Sequence, residues 1–170
     1  MALSPEQRFQ YAVSVVLDHE GGFSDDKFDP GGKTNFGITQ KFADEHKLGD
    51  VRLITKPKAI EIYRNLFWDK YNYNSLDDLS VATKVFDASV NCGATQGAKF
   101  LQIAINHLQH TQLFVDGNIG PKTIDLANSL APFKLMKELR DVMKQFYTNL
   151  VMAKPQLERF YDGWVSRASW

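Results

Sequence analysis

Cysteine is almost absent from this chain, which contains a single Cys92 among 170 residues. One cysteine cannot form an internal disulfide, so the sequence gives no sign of an oxidising compartment. Free cysteines are usually buried and behave as small apolar side chains, and we expect this of Cys92. Since 44% of the residues are hydrophobic, the chain can bury a core without disulfide support.

Long apolar runs are also lacking. No segment approaches the ~20 consecutive apolar residues that span a bilayer, so we expect no stable membrane insertion. The first residues, Met1–Glu6, contain neither a basic region nor an apolar stretch, which predicts that there is no Sec-type signal peptide. We therefore expect a chain that is cytoplasmic on synthesis.

Neither sign of charge is in excess, because 20 Lys and Arg balance 20 Asp and Glu. A neutral chain has no general attraction for nucleic acid, and we predict no nucleic-acid partner. The function must therefore be sought in local motifs.

The stretch from residue 19 to residue 39 is rich in glycine and acids and follows a predicted helix. Ser4 and Gln7 form a capping-box pattern at the start of that helix. At 100° per residue, Glu20 continues the apolar stripe onto the last turn, where Gly21 can end the helix. A carboxyl group at the end of a buried face suits the proton donor of glycosidic bond cleavage.

A second acid follows at Asp29, which opens an Asp-Pro-Gly-Gly turn. We expect residues 23–28 and 33–38 to pair around this turn as a short, irregular hairpin. A hairpin that folds back over the helix end would bring Asp29 and Thr34 towards Glu20. One carboxylic acid could then protonate a leaving glycosidic oxygen while a second carboxylate, helped by a hydroxyl, orients water.

Metal and nucleotide motifs are incomplete in the same stretch. A zinc motif that begins at His19 would need a second histidine where Phe23 stands. A phosphate-binding loop ending at Thr34 would need a glycine at Lys27, and a calcium loop starting at Asp25 would need an oxygen ligand there. We therefore predict no metal and no cofactor.

The composite of these motifs is much more specific than its parts. It resembles the signature of the glycoside hydrolase 108 lysozymes, N-acetylmuramidases common among phage endolysins and prophage-type secretion factors. The matching segments are Glu20-Gly21-Gly22-Phe23, Asp29-Pro30-Gly31-Gly32, Thr34 and Gly37-Ile38-Thr39.

The resemblance implies roles for individual residues. Glu20 would be the catalytic acid, since the family's essential acid is the glutamate of its E-G-G motif. The order Glu, Asp, Thr is also similar to the catalytic triad of phage-type lysozymes, with one residue fewer between Asp29 and Thr34 here. Asp25 and Asp26 are rivals of Asp29 for the role of second carboxylate.

Aromatic and amide side chains supply the candidate substrate contacts. We predict Phe36, Trp68 and Tyr71 as residues that bind the sugars, although aromatic clusters more often form core. Asn91, near the end of a helix that we expect to begin at Ser80, could contact substrate or serve a structural role equally well.

The second half of the chain has its own signature. Residues 116–123 resemble the D-G-x-x-G-P-x-T turn of the predicted peptidoglycan-binding module that accompanies this hydrolase domain. Asp and Gly would be needed for such a turn whether or not it touches glycan. We place a catalytic domain at 1–94 and the helical module at 95–170, with its first helix capped by Thr95. The closing Gly-Trp-x-x-Arg segment, ending at Arg167, should pack back on the N-terminal lobe.

The resemblance implies a mainly α, lysozyme-like fold, a helical bundle with a small β-hairpin beside the catalytic helix. The expected activity is hydrolysis of the β-1,4 bond between N-acetylmuramic acid and N-acetylglucosamine in peptidoglycan glycan strands. A lytic transglycosylase and a non-catalytic wall-binding protein are the alternatives. We expect a monomer that acts on the cell wall in the periplasm after release by a holin or a dedicated route.

Overall fold

A computed structural model describes residues 3–24, 32–110 and 112–170 of the chain. These residues form eight α-helices and one two-stranded antiparallel sheet, which confirms the predicted mainly α fold with a small hairpin. The helices are α1 Pro5–Glu20, α2 Gln40–Glu45, α3 Lys56–Tyr63, α4 Leu79–Cys92, α5 Ala94–Gln109, α6 Pro121–Ser129, α7 Pro132–Ala153 and α8 Tyr161–Ser169. The strands are β1 Thr34–Asn35 and β2 Ile38–Thr39. The chain divides into two compact units, Met1–Lys70 and Tyr71–Trp170.

Helix α1 begins and ends as its sequence predicts. The Ser4 hydroxyl accepts a hydrogen bond from the Gln7 backbone N–H at 3.2 Å, and the Gln7 side chain accepts one from the Ser4 N–H at 2.9 Å. The helix stops at Gly21, whose φ of 65° lies in the left-handed region that favours glycine.

The core of the first unit lies beneath the apolar face of α1. Phe9 is fully buried, and its ring lies 5.8 Å from that of Trp68. Trp68 ends a π-helical turn, Arg64–Trp68, that directly follows α3. The regular α-helix thus ends at Tyr63, where the wider turn begins. Such turns interrupt helices and change the direction in which side chains point.

Helix α4 is the central element of the second unit, where it packs against α5 and α7. Nine consecutive residues, 81–89, are buried on it, as expected for a helix surrounded on all sides. Two predictions about helix starts are corrected here. Helix α4 begins at Leu79, one residue before Ser80, and its cap is Asp78, which accepts from the Val81 N–H at 2.9 Å. Helix α5 begins after Gly93 without using Thr95 as its cap.

Charged residues inside the second unit are paired through the closing segment. Arg167 on α8 donates to the fully buried Asp87 carboxylate at 2.7 Å. The buried Lys84 ammonium donates to the Arg167 carbonyl at 2.8 Å and lies 4.2 Å from the Trp170 ring centre. Burial lowers the pKa of Lys84 to about 7. The closing segment thus packs on α4, a helix of the predicted N-terminal lobe.

Within the described ranges, no helix combines the length and the apolar character that a membrane crossing requires. Across 3–24, 32–110 and 112–170, His, Cys, Asp and Glu form no group of three or more that could hold a metal ion.

Candidate active site

The small sheet is a hairpin with a two-residue turn. Thr34 pairs with Thr39 and Asn35 with Ile38, so Phe36 and Gly37 form the turn. Both turn residues have positive φ, 50° and 76°, as a type I′ turn requires. We predicted that 23–28 would pair with 33–38. One pair of that hairpin is present, an antiparallel bridge between Ser24 and Thr34, while residues 25–28 lie outside the described residues. The strand that begins at Thr34 also pairs with the residues that follow it, because a turn closes at Phe36-Gly37.

The tip of the hairpin rests on the side chain of Glu20, the last residue of α1. A Cβ atom placed on Gly37 would lie 2.6 Å from each of Cγ, Cδ and Oε2 of Glu20. Such distances are far inside van der Waals contact, so any larger residue at this position would displace the Glu20 side chain. Glu20 is half-buried and its Oε1 atom is buried. The hairpin therefore packs over the end of the predicted catalytic helix, as expected.

Two polar side chains that the sequence analysis missed hold the hairpin in place. The buried Asn35 amide donates to the carbonyls of Val51 at 2.9 Å and Ile54 at 3.0 Å. The hydroxyl of buried Tyr63 donates to the Phe36 carbonyl at 2.6 Å. An Asn immediately before a two-residue turn was the only local signal for the first of these contacts. Together they fix the position of Gly37 against Glu20.

The predicted triad is only partly described. Thr34 is half-buried on β1, and its backbone exchanges two hydrogen bonds of 2.9 Å with Ser24. This bridge joins the chain just before and just after the segment that contains Asp29. Asp29 and its rivals Asp25 and Asp26 lie outside the described residues, so their roles stay predictions. Three residues of chain span at most about 10 Å, so the Thr34 backbone lies close to Gly37 and hence to Glu20.

Phe36 occupies a strained position in the turn. A bulky residue with φ of 50° is unusual, because its Cβ crowds the backbone. Its side chain is half-buried. Backbone strain of this kind clusters at ligand-binding and catalytic sites. The contact of Phe36 with substrate stays a prediction.

Trp68 does not offer a sugar-stacking surface. Only 1% of its surface is exposed, and its ring packs on Phe9 in the core of the first unit. This burial corrects the prediction that Trp68 binds substrate. Tyr71 is half-buried in the second unit, with its ring centre 6.2 Å from that of buried Tyr73, and its proposed role stays a prediction.

Asn91 makes a structural contact at the end of α4. Its amide donates to the Tyr147 hydroxyl at 2.7 Å, and the Cys92 sulfur lies 3.2 Å from the same hydroxyl. Asp87, four residues earlier on the same helix, binds Arg167. Cys92 is half-buried rather than fully buried, and its burial raises the pKa of the thiol. These contacts favour the structural alternative for Asn91, and its substrate contact stays a prediction.

Comparison with known proteins agrees with these features. Residues 13–93 match the family model described as Glycosyl hydrolase 108, and residues 96–169 match the model described as Predicted Peptidoglycan domain. The solved structure of Brucella abortus SagA is similar to this chain, with a TM-score of 0.80 and 29% identity. The alignment covers 96% of this chain and 91% of that one. No curated protein matches. The two family matches meet near residue 94, whereas the compact units meet after Lys70.

Proposed function

Because this chain belongs to the glycosyl hydrolase 108 family through residues 13–93, we propose that it is an N-acetylmuramidase. The hydrolase domain and the peptidoglycan domain that follows it support a glycoside hydrolase that acts on peptidoglycan. The finer proposal is that it hydrolyses the β-1,4 bond between N-acetylmuramic acid and N-acetylglucosamine. We place this action at the cell wall, after release of the chain by a holin or a dedicated route.

The contact between Glu20 and the hairpin turn carries the proposal. A carboxyl group wedged against Gly37, with its Oε1 buried, has few positions available to it. Catalysis by proton transfer gains most when the donor is held in the geometry of the reaction before substrate arrives. Glu20 would protonate the leaving glycosidic oxygen as the bond from the anomeric carbon to that oxygen breaks.

A second carboxylate must then complete the hydrolysis. In our proposal Asp29 orients the water or stabilises the oxocarbenium-like state, and the Thr34 hydroxyl helps to hold the water. The bridge between Ser24 and Thr34 supports this assignment, because it ties both ends of the segment with Asp29 to the sheet that touches Glu20. The oxygen of the water bonds to the anomeric carbon, and the proton that this water releases makes up for the one that Glu20 gave to the leaving oxygen, so Glu20 ends the cycle protonated again.

Identification of the new reducing end tests the proposed bond. Purified peptidoglycan digested by the protein is reduced with borohydride and separated by mass spectrometry. A muramidase yields fragments that end in N-acetylmuramitol. Fragments ending in N-acetylglucosaminitol would contradict the proposed bond, and anhydromuramic ends would show a lytic transglycosylase. Sedimentation with the wall without any soluble fragment would favour a binding protein.

A further inference from the structure

A second candidate site lies in the other compact unit, beside the glycine-rich turn. A cavity of about 290 Å³ opens there. Its volume is close to the lower end of the ~300–1,000 Å³ range of small-ligand sites, a size suited to one or two sugar rings rather than a long chain. Its lining includes Gln112, Phe114, Asp116, Asn118, Lys122 and Thr123.

The floor of this cavity is built around one buried amide. Gln102, of which 1% is exposed, donates to the Asp116 carboxylate at 2.8 Å and to the Asn118 carbonyl at 3.0 Å. Its own oxygen accepts from the Gly117 N–H at 2.9 Å. A Cβ on Gly117 would lie 2.5 Å from the Thr95 methyl group, so the turn sits directly on α5. The cavity is thus formed before any ligand binds, which lowers the entropic cost of binding.

One wall carries an aromatic ring exposed to solvent. The Asn106 side chain holds the backbone of Leu113 by two hydrogen bonds, at 2.8 Å to its carbonyl and 2.9 Å from its N–H. Leu113 is buried, while 80% of the next residue, Phe114, is exposed. A single exposed aromatic is ordinary on a protein surface. Here, however, a fixed backbone presents the ring at the edge of a preformed polar cavity.

We propose that this cavity is a second glycan-binding site, which takes an N-acetylhexosamine unit of a peptidoglycan strand against the ring of Phe114. The choice of glycan as ligand rests on the proposed function of the chain. The apolar face of a sugar packs on an aromatic ring, and its hydroxyl and N-acetyl groups need neutral donors and acceptors. The exposed side chains of Gln112 and Asn118 supply such groups.

The charges of the lining favour glycan over the peptide stems of the wall. The Asp116 carboxylate is engaged by Gln102 and by the Asn118 N–H at 2.8 Å, and these hydrogen bonds lower its pKa. Lys122 is the remaining charged residue of the lining. A stem peptide carries several carboxylates and an ammonium group, which would need more fixed opposite charges than this cavity has.

Amide-resolved NMR of the full chain can separate this site from the proposed active site. A Glu20→Gln protein is titrated with a β-1,4-linked N-acetylglucosamine tetramer. The amide signals of Asn118 and Gly120 report on the cavity, and that of Gly37 reports on the hairpin. Phe114→Ala is compared with Phe133→Ala, which removes another ring of the same unit that is 72% exposed and is not part of the cavity.

We expect saturable shifts at Asn118 and Gly120, with a Kd that rises about tenfold in Phe114→Ala and stays unchanged in Phe133→Ala. Shifts at Gly120 without shifts at Gly37 would contradict the proposed active site and leave the second site standing. The inference is overturned if Gly37 responds and Gly120 does not, if a free stem peptide shifts Gly120 in place of the tetramer, or if Phe114→Ala changes the Kd by less than twofold.

Discussion

Replacing Gly37 with alanine should reduce activity far more than stability, because it displaces the proposed catalytic carboxyl group of Glu20 while leaving the core intact. The added Cβ would lie 2.6 Å from three atoms of Glu20. These atoms belong to the end of a flexible side chain, so the carboxyl group can move aside without disrupting the core. It must move by about 1 Å to restore ordinary contact, and the hairpin is held against it by Asn35 and Tyr63.

The magnitudes of the two effects differ. An alanine at φ of 76° costs about 1–2 kcal/mol in backbone strain, which corresponds to a decrease of about 2–8 °C in Tm for a chain of this length. A displacement of about 1 Å at a catalytic group can reduce the rate by about 10²-fold. We therefore expect a modest loss of stability and a large loss of activity.

Gly49→Ala provides a matched control. Gly49 has a similar φ of 81°, and a Cβ there would meet no atom within 4 Å. It should thus incur the same strain without any contact to Glu20. The assay is reducing-end release from purified peptidoglycan, with thermal unfolding measured on the same samples. If both variants lost stability equally and retained equal activity, the contact between Gly37 and Glu20 would not contribute to catalysis.

Two further outcomes follow from the described contacts. Phe36→Gly relieves the strain of a bulky residue at φ of 50°, so the free energy of unfolding should change by no more than about 1 kcal/mol. Peptidoglycan hydrolysis should nevertheless fall about tenfold, because the ring is lost. Full activity would exclude substrate contact by Phe36. Lys84 titrates near pH 7 in the fold and at its ordinary value of 10.5 when unfolded, so the unfolded chain binds more protons between these values. The free energy of unfolding of wild type relative to Lys84→Met should therefore rise from about pH 7 to pH 10 in denaturant titrations, and a flat difference would contradict the burial of the ammonium group.

Local signals were sufficient for much of the helical fold. The capping box at Ser4 needs only residues three apart, and the structure has it. Thr39 likewise accepts from the Phe42 N–H at 3.1 Å at the start of α2. The start of α4 was placed wrongly because Asp78 and Ser80 are both good caps, and the choice depends on how the helix packs.

The hairpin was harder to predict than the helix before it. Asp-Pro-Gly-Gly is the stronger turn signal, and a phenylalanine is a poor residue for a left-handed turn position. The observed turn at Phe36 is stabilised by a hydrogen bond from Tyr63, 27 residues along the chain. Such a contact has no local signature, and neither has the burial of Trp68 against Phe9.

In the candidate site, too, features that depend on neighbouring residues could be predicted, and features that depend on distant contacts could not. Glu20 could be chosen from the periodicity of α1 and from its motif, because both depend on neighbouring residues. The fit of its carboxyl group against Gly37 could not, since it requires the hairpin to lie at one position over the helix end. Asn35 could not be predicted as the residue that holds the hairpin either, because its partners, the carbonyls of Val51 and Ile54, lie 16 and 19 residues along the chain.

The most direct test of the account is reducing-end release from purified peptidoglycan by wild type, Glu20→Gln and Asp18→Asn. Asp18 is an exposed acid on the same helix, so its variant controls for the loss of one negative charge. With thermal unfolding unchanged, we predict that Glu20→Gln is slower than wild type by at least about 10²-fold and that Asp18→Asn matches wild type. A folded Glu20→Gln protein with wild-type activity would show that Glu20 is structural and that the proposed general acid is wrong.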